Sequence, residues 1–177
     1  MDDAELYGGI FESIKDFVQP KYDKNSLPII TYDSKMTLSQ GNEEIELYNF
    51  GNAHTDGDTV VVFKNNNIIH TGDAFVRYGY PYVDLNNGGS IKGLVNFLGI
   101  LESLCDEKTI IMPGHGSLSK KEDVTKLKEI LLNLYTKTEL GLKNGLSFKE
   151  ISDSIEETLN SGEDLKLNYI KSIELEL

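Results

Sequence analysis

Histidine is scarce in this chain of 177 residues. There are three, His54, His70 and His115, and none precedes position 54. Cysteine is scarcer: Cys105 stands alone, so no internal disulfide can form. It lies in an apolar helical pattern, which predicts a buried and inert thiol. Basic residues are in deficit, 17 Lys and Arg against 29 Asp and Glu, for a formal net charge of −12. Such a surface repels phosphate backbones and acidic lipids, so neither a nucleic-acid nor a membrane partner is expected. No apolar run approaches the length of a membrane span. The first residues, Met1-Asp2-Asp3-Ala4-Glu5, are acidic and do not read as a secretory signal. The compartment stays open, with the cytoplasm as default. Internal repeats, low-complexity tracts and a glycine-rich phosphate loop after the first strand are also absent, and the last absence argues against a doubly wound nucleotide-binding fold.

What is present suits a folded chain. Hydrophobic residues make up 39% and charged residues 26%, the balance of a single globular domain spanning 1–177. Apolar residues at Leu6, Ile10, Phe11, Ile14 and Phe17 predict an amphipathic helix over 2–18, ended by Pro20. Strands are expected at 27–32, 35–39 and 43–50, with a hairpin turn at Gln40-Gly41-Asn42. Two more are expected at 59–64 and 67–70, joined by Asn65-Asn66.

A long loop follows from Gly72 to Gly89, and Ser90 is placed to cap a helix carrying Ile91, Leu94, Val95, Leu98, Leu101 and Leu104. A buried strand at 109–112 stops at Pro113, and a long amphipathic helix covers 120–143. Ser147 with Glu150 forms a capping box for another helix, and a last short helix is expected over 164–176. Hairpins first and helices last predict an α/β chain, a mixed sheet covered by helices.

Three polar clusters follow apolar strands, where a rigid element hands over to a loop. They are Ala53-His54-Thr55-Asp56-Gly57-Asp58, His70-Thr71-Gly72-Asp73 and Pro113-Gly114-His115-Gly116. Zinc takes imidazole nitrogen and carboxylate oxygen, and small neighbours such as Gly114 and Gly116 let a metal approach. Each cluster alone is unspecific; the three in this order are much more specific. The stretches NAHTDGDTVVVF, IIHTGDAF and IMPGHGSLSKKEDV resemble the later motifs of the metallo-β-lactamase superfamily. LPIITYD and YPYVDLNNGGSIKGLVNFLGILESL resemble one hydrolase subgroup of it.

The resemblance implies an αβ/βα sandwich, two sheets facing each other between outer helices. It also implies two zinc ions per complete site. By it His54 would bind one metal, Asp73 would bridge both, and His115 would bind the other. The implied reaction is hydrolysis of a small-molecule substrate, by metal-held hydroxide on a carbonyl or phosphoryl centre.

Around these ligands several readings stay open. Asp56 and Asp58 either orient His54 through its second ring nitrogen or form the turn around Gly57. His70 is expected to support the Thr71-Gly72-Asp73 loop by hydrogen bonding. Tyr80 and Tyr82, with Tyr78 and Pro81, either line a substrate mouth or pack the loop.

One part of the resemblance fails. The family's first motif, H-x-H-x-D-H, supplies three ligands and a catalytic aspartate, and nothing like it occurs in residues 1–53. The metal site is therefore expected to be incomplete and the sandwich partial. A piece of a longer enzyme, a catalytically silent interaction module derived from the fold, and self-association through the exposed sheet face all account for this. A mononuclear site of two histidines and one aspartate is a further reading.

Overall fold

The computed structural model describes residue 25, residues 28–156, residue 159 and residues 162–177. The chain divides into two compact units, 1–32 and 33–177. Of the first, only residues 25 and 28–32 are described, so the helix expected over 2–18 lies outside the described residues. The strand expected at 27–32 is not present over 28–32, where Ile29 and Ile30 are 98% and 66% exposed. β-Propensity is a preference for a paired, half-buried surface, and this stretch belongs to no strand of the described sheet.

The second unit opens with a β-meander. Strands β1 (Lys35–Gln40) and β2 (Glu43–Tyr48) form a hairpin in which Gln40 faces Glu43. Gly41 takes the first loop position at φ +64°, a conformation that a side chain would resist. Strands β3 (Val60–Phe63) and β4 (Ile68–His70) continue the antiparallel run, and Asn67 closes their turn at φ +53°. β5 (Ile110–Met112) then pairs with β4 in parallel, giving the order β1-β2-β3-β4-β5.

The parallel pair needs a crossover, and helix α1 (Ile91–Leu104) supplies it. Ser90 caps it by accepting the Gly93 N–H at 2.9 Å, as expected. Its spacing buries Ile91, Leu94, Leu98 and Leu101 on one face, with Phe97 beside them. Helix α2 (Lys121–Lys143) buries Val124, Leu127, Ile130, Leu131 and Leu134 in the same way. Short α3 (Phe148–Asp153) carries the expected capping box of Ser147 and Glu150, and α4 (Gly162–Glu176) closes the chain.

Alternation divides the sheet into two faces. Val60, Ile69 and Ile111 point into the helix-covered core with Phe75, Phe97 and Leu131. The opposite face carries two rows across all five strands. One is Leu38, Ile45, Phe63, Ile68 and Ile110; the other is Met36, Leu47, Val61, His70 and Met112. Cys105 is buried, and desolvation pushes its thiol up to about 11, the inert group that the pattern predicted. No helix among the described residues is long and apolar enough to cross a membrane.

Candidate metal centre

Parallel strands end at the same edge of a sheet, so the segments after β4 and β5 leave side by side. Backbone hydrogen bonds hold them together: Thr71 N–H donates to Met112 O at 3.1 Å, and Gly114 N–H to Gly72 O at 2.8 Å. Asp73 then sits in a short 3-10 turn, Gly72–Ala74, directly across from His115. His115 Nε2 lies 3.4 Å from Asp73 Oδ1. A Cβ on residue 114 would fall 2.0 Å from that same oxygen, so only glycine leaves the carboxylate its place. His115 is further held by a parallel bridge to Val76 and by the Arg77 N–H on its carbonyl at 3.0 Å. Both side chains reach the surface, His115 60% exposed and Asp73 41%.

His54 comes from the loop between β2 and β3. Ala53 before it is fully buried, and Asp84 N–H donates to its carbonyl at 2.9 Å. Its Nδ1 lies 2.8 Å from Tyr82 O, and a backbone carbonyl can only accept, so in the neutral ring Nδ1 carries the proton and Nε2 keeps its lone pair. The partner of the second nitrogen is thus a carbonyl rather than Asp56 or Asp58. Asp58 instead accepts from Thr55 N at 3.1 Å and Thr55 Oγ1 at 2.9 Å, and Asp56 is held through its backbone to Asn87. Of the two readings held open for these aspartates, turn formation is the one their hydrogen bonds carry.

The other candidates separate by burial. His70 pairs with Met112 across β4 and β5, its Nδ1 3.0 Å from Met112 O, and supports that strand pair. Tyr80 is 3% exposed and lies against Tyr169 in a tilted ring contact, 4.9 Å between centroids, and burial pushes its phenol up. It is a core residue, so of the two readings held open for it, packing of the loop is the one its burial carries. The apolar pattern of the loop did not distinguish it from its neighbours. Tyr82 is exposed, with its ring 6.0 Å from that of His54, and Tyr78 is exposed with its ring 5.8 Å from that of His115. These two tyrosines flank the two histidines.

The chemistry of the donor set suits zinc, and the glycine cradle at 114 suits a close approach. The number gathered does not. Among the described residues no three His, Cys, Asp or Glu side chains lie close enough together to hold a metal ion. The Asp73–His115 pair is a half-site, and a structural zinc site takes four donors.

Residues that the sequence did not single out also brace this region. Arg77 Nη1 pairs with Asp123 Oδ1 at 3.0 Å, while Asp123 Oδ2 accepts the Lys120 N–H at 3.0 Å and caps α2. Tyr169 donates to Pro81 O, and Glu176 accepts from the first turn of α1. The partners lie 88 and up to 86 residues apart, so no local pattern announces them.

No protein-family model matches the chain, and no curated protein matches it. Solved structures do. A metallo-beta-lactamase from Pontibacter korlensis matches 60% of this chain at 19% identity and a TM-score of 0.52, over 49% of its own length. The stereoselective inverting sec-alkylsulfatase Pisa1 from Pseudomonas sp. matches 80% of this chain at 11% identity and a TM-score of 0.60, over 25% of its own length. A double mutant of the sec-alkyl sulfatase PisA1 matches 84% of this chain at 10% identity and a TM-score of 0.65, over 26% of its own length. The chain spans between a quarter and a half of the length of each. The mixed five-stranded sheet with its helices is consistent with part of the metallo-β-lactamase fold.

Proposed function

We propose that this chain contributes part of a metal-dependent hydrolase centre, with His54, Asp73 and His115 as donors toward zinc. The observation that carries the reading is the 3.4 Å approach of His115 Nε2 to Asp73 Oδ1 over a glycine that admits no side chain. The fold is shared with proteins described as a metallo-beta-lactamase and as sec-alkylsulfatases, which supports hydrolysis as the class of reaction. Zinc, when bound, supplies Lewis acidity toward a carbonyl, sulfate or phosphoryl oxygen. The remaining donors come from outside the described residues, and the substrate is a small molecule reached past Tyr78 and Tyr82.

The test is elemental analysis of the chain purified with zinc, beside His115→Ala and Asp73→Ala. The expected result is less than one zinc per chain, lowered further in both variants. Zinc uptake identical in all three chains would overturn the donor assignment. Two tightly held zinc ions per chain would overturn the half-site reading.

A second reading is favoured by a different observation. On the face of the sheet that no helix among the described residues covers, Leu38, Ile110 and Met112 are 43%, 43% and 41% exposed. Exposed apolar patches of this kind mark interaction surfaces, and among the described strands β1 is an edge, which adds backbone groups open to pairing. On this reading the chain is an interaction module that self-associates through that face. Asp73→Ala would then leave its association unchanged, whereas a lysine at Ile68 would abolish it.

A further inference from the structure

The carboxyl-terminal helix ends against the first turn of α1, which is tied to the segment that carries His54. Ile170 and Ile173, both fully buried, anchor α4 in the core. From that anchor two polar side chains reach the segment 81–92. Tyr169, 7% exposed and lying against Tyr80, donates its hydroxyl proton to Pro81 O. One residue on, Tyr82 O receives the His54 Nδ1 proton. Seven residues beyond Tyr169, the Glu176 carboxylate accepts the N–H groups of Ile91 and Lys92, the latter at 3.1 Å, and the Ser90 hydroxyl at 3.3 Å. Ser90 N–H in turn donates to Ala53 O at 2.9 Å, directly before His54. Both relays therefore end on the His54 segment, one at its ring and one at its backbone. Close packing leaves little slack between them: a Cβ on residue 89 would fall 2.4 Å from His54 O.

We infer that Tyr169 and Glu176 are positioning residues for His54. Tyr169 fixes the Pro81–Tyr82 peptide segment, so that the Tyr82 carbonyl stays aimed at Nδ1. Glu176 fixes the start of α1, and with it the backbone that carries the ring. Together they hold His54 in the Nδ1–H tautomer, with the Nε2 lone pair turned outward as the donor atom. The choice of tautomer follows from the hydrogen bond made by the other nitrogen. The inference rests on the proposed metal reading only for what the donor atom is used for; the tautomer itself is independent of any metal.

The experiment reads the ring directly. In the metal-free chain labelled with nitrogen-15 at histidine, long-range proton–nitrogen correlations report which ring nitrogen of each neutral histidine is protonated. The chain is compared with Tyr169→Phe, which keeps the ring contact, and Glu176→Gln at the far end of the helix. The expected result is a pure Nδ1–H form of His54 in the unchanged chain and a mixture of the two tautomers in both variants, with His115 unaltered as internal control. His54 in the Nε2–H form, or an identical tautomer in all three chains, overturns the inference. Should Tyr169→Phe unfold, Glu176→Gln gives the same reading alone. A zinc titration of the same samples separates the two ideas. The expected weakening in Tyr169→Phe is about tenfold, the low end for a group that orients a metal ligand. A tautomer shift with no zinc uptake in any chain keeps the role of Tyr169 and removes the zinc reading.

Discussion

Glycine 114 shows how little atomic freedom the His115–Asp73 pair has. Its added Cβ would lie 2.0 Å from Asp73 Oδ1, well inside contact distance. Gly114→Ala is thus expected to push the carboxylate aside and, because the same Cβ would fall 2.6 Å from Gly72 C and 2.7 Å from Gly72 O, to strain the backbone that joins the two strand exits. The measurement is zinc affinity beside a thermal melt: a loss of tenfold or more in affinity, together with a lowered melting temperature, is the expected outcome. Glu46 gives a second test at this scale. Its carboxylate accepts from Lys35 Nζ at 2.6 Å and Tyr48 OH at 2.7 Å, with Lys64 Nζ at 3.3 Å. The Lys35 and Tyr48 hydrogen bonds lead in lowering its pKa from 4.5 to about 2. A depressed carboxylate stabilises the fold above its unfolded pKa, and that contribution is lost as pH falls toward the folded value. The urea midpoint should therefore decline between pH 4.5 and about 2, and Glu46→Gln should flatten that decline.

At the scale of elements, local chemistry was legible wherever a short-range rule applied. The Ser90 cap, the Ser147–Glu150 box and the apolar faces of α1 and α2 follow from spacing alone, apart from Leu104, expected on the α1 face but 40% exposed. Removing the Ser147 hydroxyl with Ser147→Ala is expected to cost about 1 kcal/mol by urea unfolding. Leu98→Ala, from a fully buried site between helices and sheet, is expected to cost about 2–5 kcal/mol. The candidate site was legible in part. His54, Asp73 and His115 stand out because each follows a strand, and the pairing of β4 with β5 brings the last two together. The burial of Tyr80 was not legible because it depends on a helix 89 residues later, against whose Tyr169 its ring lies. The role of α4 was illegible for the same reason: Tyr169 and Glu176 act on partners that only the fold brings near. Residues 28–32 resemble a strand in composition yet form none, since a strand is completed by its neighbour.

For the whole molecule, the two faces of the sheet set the question of partners. One face is filled by α1 and α2, while the other carries two apolar rows interrupted by His70. Light scattering on the eluting chain is expected to show more than one copy per particle, and Ile68→Lys to return it to one copy. A single copy for both chains would count against association. The net charge of −12 opposes close approach of two copies, so association should strengthen as salt rises and screens that repulsion.

The docking of Glu176 on the first turn of α1 also governs what can be attached to this protein. Any extension beyond Leu177, natural or appended, departs from beside the start of α1 and so from near the His54 segment. A polyhistidine tag placed there would deliver a row of foreign imidazoles to the neighbourhood of the native one. Such a sample would take up zinc whether or not the protein itself does, and a tag removed before assay, or fused elsewhere, would give a different stoichiometry.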